Sequence, residues 1–271
     1  VAVARLAGEP SAAPPRSLST VWGTWARRGA FYLALLAAWQ IVAAAGIWPA
    51  YVVPGPQAVA ASLADGLATG AFLTGAAVSL SRLVAGYAIS VAAGVLLGLL
   101  IARSRLADEL LGSLVLAFQS LPSVCWLPLA ILWFGLNQTA VIFVVVMGAL
   151  FSITLGVAGG VRNTPSLYVK AARNMGSRGW RLYSRVILPA ALPAVIAGLK
   201  QGWSFAWRSL MAGELIYFSL SLGNLLQTGR DLNDAARVLA VMVVIMAIGL
   251  VCDQLLFAPV ERRMRDRRGL N

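Results

Sequence analysis

Residues 161–193 read VRNTPSLYVKAARNMGSRGWRLYSRVILPAALP, and the reading of this stretch decides the fold. It is the one long polar interruption between hydrophobic segments that also carries signals of ordered structure. Thr164-Pro165 predicts a helix start, a hydroxyl cap followed by proline at the first helical position. Gly176 predicts the stop, because glycine enters a left-handed cap without a steric penalty. At about 100° per residue, Leu167, Tyr168, Ala171, Ala172 and Met175 share one apolar arc. Ser166, Val169, Lys170, Arg173 and Asn174 fill the other side. A helix this short is marginal alone and must dock on something. The paired alanines would let a partner come close. Leu188-Pro189 and Leu192-Pro193 are expected to end the excursion and open the next apolar segment.

The flanks are hydrophobic on both sides, as is most of the chain. With 59% hydrophobic and only 12% charged residues among 271, the composition excludes an ordinary soluble domain and implies an all-α, polytopic transmembrane bundle. About six spans are expected, near 31–47, 83–102, 110–135, 140–160, 194–218 and 238–258, each close to the length that crosses ~30 Å of hydrocarbon. Residues 1–29 read as a disordered tail rich in Ala, Pro, Ser and Arg. A signal peptide competes for the first apolar run, but Trp48-Pro49 is a poor cleavage context. Tyr51–Ser81 reads as short interfacial helices, Ser221–Arg237 as a polar, turn-rich loop, and 261–271 as a basic tail. Pro122 and Pro128 fall inside the third span, where only neighbouring helices or cavity groups can satisfy the carbonyls they free.

Charge fixes the orientation. The net charge is +12, yet the arginines cluster between hydrophobic runs, so they set topology and do not point to nucleic acid. The stretch 161–193 holds Arg162, Lys170, Arg173, Arg178, Arg181 and Arg185 without one acidic residue. The tail adds Arg262, Arg263, Arg265, Arg267 and Arg268. Both are expected in the cytoplasm, and six spans place both termini there. The chain has no histidine, and Cys125 and Cys252 lie inside apolar segments. That argues against a disulfide framework, a zinc or haem site and a histidine-based triad, so no metal site and no catalytic residues are expected.

The pattern Ala171-Ala172, then Gly176, then Ile187-Leu188-Pro189 resembles the cytoplasmic loop of ABC importer permeases, with consensus E-A-A-x3-G followed by I-x-L-P. In that family the short helix is a coupling helix seated in a cleft of the ATPase subunit. The resemblance therefore assigns ATPase coupling to Leu167, Tyr168, Lys170, Ala171, Ala172, Met175 and Gly176. Lys170 stands where the consensus has glutamate, so an acidic contact is not carried over. The string LPSVCWLPLAILWFG in the third span resembles the nitrate, sulfonate and taurine subgroup. The resemblance implies the type I importer fold, and a second permease copy forming a homodimer. It also implies two copies of a cytoplasmic ATPase and an external substrate-binding protein. No cofactor is expected on this chain. ATP and magnesium would be used by the partner ATPase, and this chain has no G-x4-G-K-S/T loop. Alternating access in the lipid bilayer follows as the expected mechanism.

The fifth span carries the polar chemistry. Projected on a helix, Lys200, Trp203, Ser204, Trp207, Arg208, Met211 and Glu214 fall within an arc of about 140°. Trp203, Ser204, Trp207, Arg208, Met211 and Glu214 are the candidates for the substrate pathway. Gly202, Ala206, Ser209 and Gly213 form a small-residue stripe suited to close helix packing. Two readings of Arg208 stay open: an anion site, or one half of a buried ion pair with an acid on another element. Lys200 could snorkel to the headgroups, and Asp253 is expected to pair with a loop arginine. Two other function classes compete with the importer. An ion-coupled secondary transporter would need a carboxylate relay within the membrane, and an integral membrane enzyme would need a convergent acid, base or nucleophile set.

Overall fold

The computed structural model describes residues 18–267, and among them there are helices and no strands. The chain divides into two compact units, Val1–Ala58 and Val59–Asn271. In the first, α1 (Leu18–Ala44) is followed by an irregular segment that is pinned where the Trp39 indole N–H donates to the Pro54 carbonyl at 3.0 Å. The tail expected over 1–29 is thus helical from Leu18, and residues 1–17 lie outside the described part. Because Arg27 and Arg28 sit within it, α1 is not among the helices long and apolar enough to cross a membrane.

The second unit takes in all but the first three residues of α2 (Pro56–Ala68), then α3 (Ala71–Arg103), α4 (Arg105–Gln119), a 3-10 turn (Ser123–Trp126) and α5 (Leu127–Phe134). It continues through α6 (Gln138–Arg162), α7 (Ser166–Asn174), α8 (Gly179–Glu214), α9 (Leu222–Asp231) and α10 (Ala235–Met264). The helices α3, α6, α8 and α10 are long and apolar enough to span a bilayer. The segments 105–119 and 123–134 together make a fifth candidate, bent by 101°. Among the described residues, four to five segments thus meet this measure of length and apolarity, beside the about six spans expected.

Each difference from the sequence reading has a local cause. Pro122 and Pro128 lack the N–H that would carry a helix through the third span, so the span expected at 110–135 is broken. The second span starts at Ala71, well before Leu83. Ser221, read as part of a loop, accepts the Asn224 N–H at 3.3 Å and caps α9. The helix α8 begins at Gly179, so Pro189 and Pro193 lie inside it and do not open it. A widened π turn over Tyr183–Ile187 ends two residues before Pro189. It falls where an α turn would press the proline ring on the carbonyl four residues back.

The core is organised on α6. Val144, Val145, Ala149 and Ile153 of this helix are fully buried. The helices α3 and α8 both approach it through small residues, the way helices pack when lipid leaves them no hydrophobic drive to associate. The closest approach is between backbones: a Cβ on Gly156 would lie 2.5 Å from the Gly198 Cα. Along α3, Gly98 packs so tightly that its Cβ would stand 2.7 Å from the Thr154 carbonyl oxygen. Further along α8, Gly202 faces Ile153 and Gly213 faces Val141, as the small-residue stripe predicted. On another side of α8, Trp203 packs edge-on against Tyr87 at 5.1 Å and lies 6.2 Å from the Phe257 ring. Tyr87 donates to the Leu199 carbonyl at 2.8 Å. This fixes the rotation of α8, and with it which residues of that helix are left facing open space.

Candidate functional site

Three places hold the residues singled out above. The first is α7. Its start is one residue later than predicted: Pro165 caps it, and the Thr164 hydroxyl instead turns back to the Gly160 carbonyl at 3.4 Å. Its end follows the prediction. Gly176 has φ +82°, its N–H donates to the Arg173 carbonyl at 3.0 Å, and the Ser177 N–H donates to the Ala172 carbonyl at 2.9 Å. These two bonds make a Schellman cap. Leu167 and Met175 are 70% and 79% exposed, and Tyr168, Lys170 and Ala171 are exposed with them. Ala172 is not; it is 2% exposed, where α7 packs on the first turns of α8. The two alanines thus divide. Ala172 anchors the helix to its own chain, and Ala171 belongs to the outward apolar face.

The second place is the far end of α8. Glu214 is fully buried and pairs with Arg82 of α3 at 2.9 Å. Its other oxygen accepts from the Ser79 hydroxyl at 2.7 Å and from the Gly223 N–H at 3.2 Å. Ser79 in turn accepts the Leu222 N–H at 3.0 Å, and Arg82 also donates to Ser219 at 2.9 Å and stacks on Tyr217. One knot of charge therefore ties α3, α8 and the first turn of α9 together. A Cβ on Gly223 would come within 2.4 Å of the Glu214 Cβ, so only glycine fits there. Glu214, named among the pathway candidates although the resemblance gives its position a structural role, lies fully buried inside the protein. The sequence reading missed Arg82, whose signal was a single arginine within the long apolar run of α3.

The third place is a cavity of about 410 Å³ in the corner where α4 stops and the chain turns towards α5. Its walls come from the break itself (Gln119, Ser123), from α6 (Met147, Phe151) and from α8 (Phe205, Arg208). Arg208 is exposed, its guanidinium lies over the Phe205 ring at 5.6 Å, and among the described residues no carboxylate pairs with it. Because Glu214 is taken by Arg82, a pair between Arg208 and that acid is not formed.

The other pathway candidates do not gather at this cavity. Trp203 is 8% exposed in the core, and Trp207 and Met211 are half-buried against the same core. Ser204 is exposed, with its hydroxyl donating to the Lys200 carbonyl at 3.3 Å. The reason is angular. Trp203 and Glu214 lie at the other edge of the predicted arc, about 140° and 120° from Arg208 at 100° per residue, so they face other neighbours. Lys200 reaches Asp253 at 3.1 Å and Glu261 at 3.2 Å. Asp253 therefore pairs with a span lysine and not with a loop arginine.

Comparison with known proteins agrees with this architecture. The family described as "Binding-protein-dependent transport system inner membrane component" matches residues 94–266. A putative ABC transporter permease protein of Methanocaldococcus jannaschii is 31% identical over 69% of this chain and 71% of its own length. A putative aliphatic sulfonates transport permease protein of Bacillus subtilis is 25% identical over 81% of this chain and 79% of its own. Among solved structures, a chain of the MetNI methionine ABC transporter in inward-facing conformations superposes with a TM-score of 0.55. It covers 69% of this chain and 91% of that one at 20% identity, a likeness of fold alone. The match includes the broken third span, the loop with α7 and the charged far end of α8, and this chain belongs to the family of inner membrane components of binding-protein-dependent transport systems.

Proposed function

We propose that this chain is the translocating subunit of an ATP-driven importer for a small anionic nutrient of the aliphatic sulfonate, taurine or nitrate type. The observation that carries the reading is the outward face of α7, where Leu167, Tyr168, Ala171 and Met175 leave an apolar strip exposed on a helix rigidly capped at Gly176. A membrane-surface loop without a docking partner has no need of such a strip, and a cleft in a cytoplasmic ATPase is the occupant the family implies. Two ATPase copies bind and hydrolyse ATP with magnesium. Two copies of this chain enclose the path in the cytoplasmic membrane, with both termini inside. An external binding protein delivers the substrate. ATP-driven closure of the ATPase pair pushes on α7, and α8, which starts only a few residues later, carries the movement into the bilayer. An anionic substrate is supported by Arg208, which pairs with no carboxylate among the described residues, and by the sulfonate permease among the relatives.

The division between the two alanines supplies the test. Ala171→Arg places a bulky charge on the docking face and should abolish ATP-dependent uptake while the protein still inserts and elutes as a monodisperse species. Ala172→Arg buries that charge within the loop and should lower the yield of folded protein itself. Uptake is measured in vesicles with the ATPase co-expressed, with and without an uncoupler. Normal ATP-driven uptake by the Ala171→Arg protein would sink the docking claim. Uptake that stops with the uncoupler and continues without ATP would move the chain to the ion-coupled transporters.

A further inference from the structure

The cavity at the break of the third span is open on one side and has an unusual lining for a membrane-spanning region. None of its lining residues is acidic, and one is a permanent cation. An unpaired charge within a span is costly and needs either water or a ligand. Arg208 cannot draw on Glu214, whose oxygens are taken by Arg82, Ser79 and the Gly223 amide. Stacking on Phe205 fixes the guanidinium by its face, which leaves its N–H edges free to donate. Gln119 and Ser123 bring further polar groups to the same cavity, and neither side chain is bonded to another described residue. Ser120 also lines the cavity, but its hydroxyl donates to the Ala117 carbonyl at 2.7 Å, and Phe118, Phe151 and Met147 give the wall an apolar side. Phe118 and Phe151 lie 5.5 Å apart. A charged end and an apolar end thus share one space, at the small side of the range for ligand pockets.

We propose that this cavity is a substrate subsite within the permease itself, selective for small organic oxyanions. Arg208 holds the charged head, and the Phe118, Phe151 and Met147 wall holds a short apolar body. The inference rests on the reading of this chain as a permease for anions and goes beyond it in two respects. It puts a recognition site on the membrane subunit, and it separates anions by their tails. An inorganic anion such as nitrate engages only the head-group end. An alkanesulfonate engages both ends, and each methylene it buries tightens binding about fourfold.

The test is equilibrium binding by calorimetry to the full chain in phosphatidylcholine nanodiscs, with methanesulfonate, butanesulfonate and nitrate as probes. Butanesulfonate should bind tightest and nitrate weakest. Arg208→Gln should weaken both sulfonates about 10- to 100-fold, the loss expected for a charge-assisted hydrogen bond, and leave the gain per methylene intact. Arg208→Lys should recover part of that loss. Ala212→Leu, which narrows the cavity without touching the charge, should penalise butanesulfonate more than methanesulfonate. Monodisperse elution of each variant separates these effects from misfolding.

A lipid head group offers the same anionic chemistry, so the wild type is also measured in discs containing phosphatidylglycerol. Equal affinities in both discs support a soluble ligand, and abolition of butanesulfonate binding by phosphatidylglycerol overturns the proposal. So does an Arg208→Gln protein that binds butanesulfonate like the wild type, or a wild type that binds neither sulfonate. Failure of the importer reading shows separately, as absence of ATP-driven uptake by the wild-type complex whatever its sulfonate affinity.

Discussion

Arg208 and Glu214 stand six residues apart on α8, both charged and both within the membrane part of the chain, yet their surroundings are opposite. Glu214 is fully buried, and its two oxygens take up Arg82, the Ser79 hydroxyl and the Gly223 amide. Arg208 faces a cavity with an aromatic ring behind it and no counter-ion among the described residues. The difference teaches what a charge in a span is for. A charge whose hydrogen-bonding capacity is used up holds helices together. One whose capacity is left open is available to something that comes and goes.

Mutation should separate the two regions by size of effect. Glu214→Ala strands Arg82 in a buried site at a cost of about 3–5 kcal/mol, so little folded protein should survive in detergent. Pairing it with Arg82→Met, which removes the orphaned charge, should recover much of the yield by size-exclusion chromatography. A Glu214→Ala protein as stable as the wild type would break the comparison at its root. Gly198→Ala tests packing without charge. Its Cβ would lie 2.7 Å from the Gly156 Cα, so α6 and α8 must separate, at about 1–3 kcal/mol. That should appear as a lowered thermal midpoint. Lys200→Met removes a half-exposed bridge to Asp253 and Glu261, and only about 0.2–1 kcal/mol should be lost, less in high salt. The smallest effect belongs to Arg208→Ala, which touches no buried partner and should change the stability by no more than about 0.5 kcal/mol. A large drop there would return Arg208 to the structural residues.

Much of this architecture could be read from the chain, because hydropathy and punctuation are local. The fourth span, expected at 140–160, is α6 at Gln138–Arg162, and the loop helix ends at Gly176 through the predicted left-handed cap. The small-residue stripe of α8 was legible for the same reason, since helical spacing alone puts Gly202, Ala206, Ser209 and Gly213 on one side. What stayed hidden depends on partners distant in sequence. The spacing of Leu167, Ala171 and Ala172 gives an apolar arc but not which part of it meets the protein's own surface, so buried Ala172 was grouped with exposed Ala171. An arc of about 140° likewise cannot all face one cavity, and only the packing of Trp203 between Tyr87 and Phe257 fixes which edge does. Pro122 and Pro128 announced an interruption in the third span. The 101° turn they produce, and the cavity in its corner, follow from how α6 and α8 close against it.

The Arg82–Glu214 pair also orders events during synthesis. The partners are 132 positions apart, and ribosomes add about 5–20 residues per second. The arginine of α3 therefore emerges roughly 7–26 s before the carboxylate that will neutralise it exists. Through that interval α3 is a half-finished segment with a bare cation near one end, and its shelter has to come from water, lipid head groups or the insertion machinery. Only when the last turn of α8 is made can the cation be sealed away. Locking of the far ends of α3 and α8, together with the start of α9, is thus a late step in the birth of the protein, taken after most of the bundle has already entered the membrane.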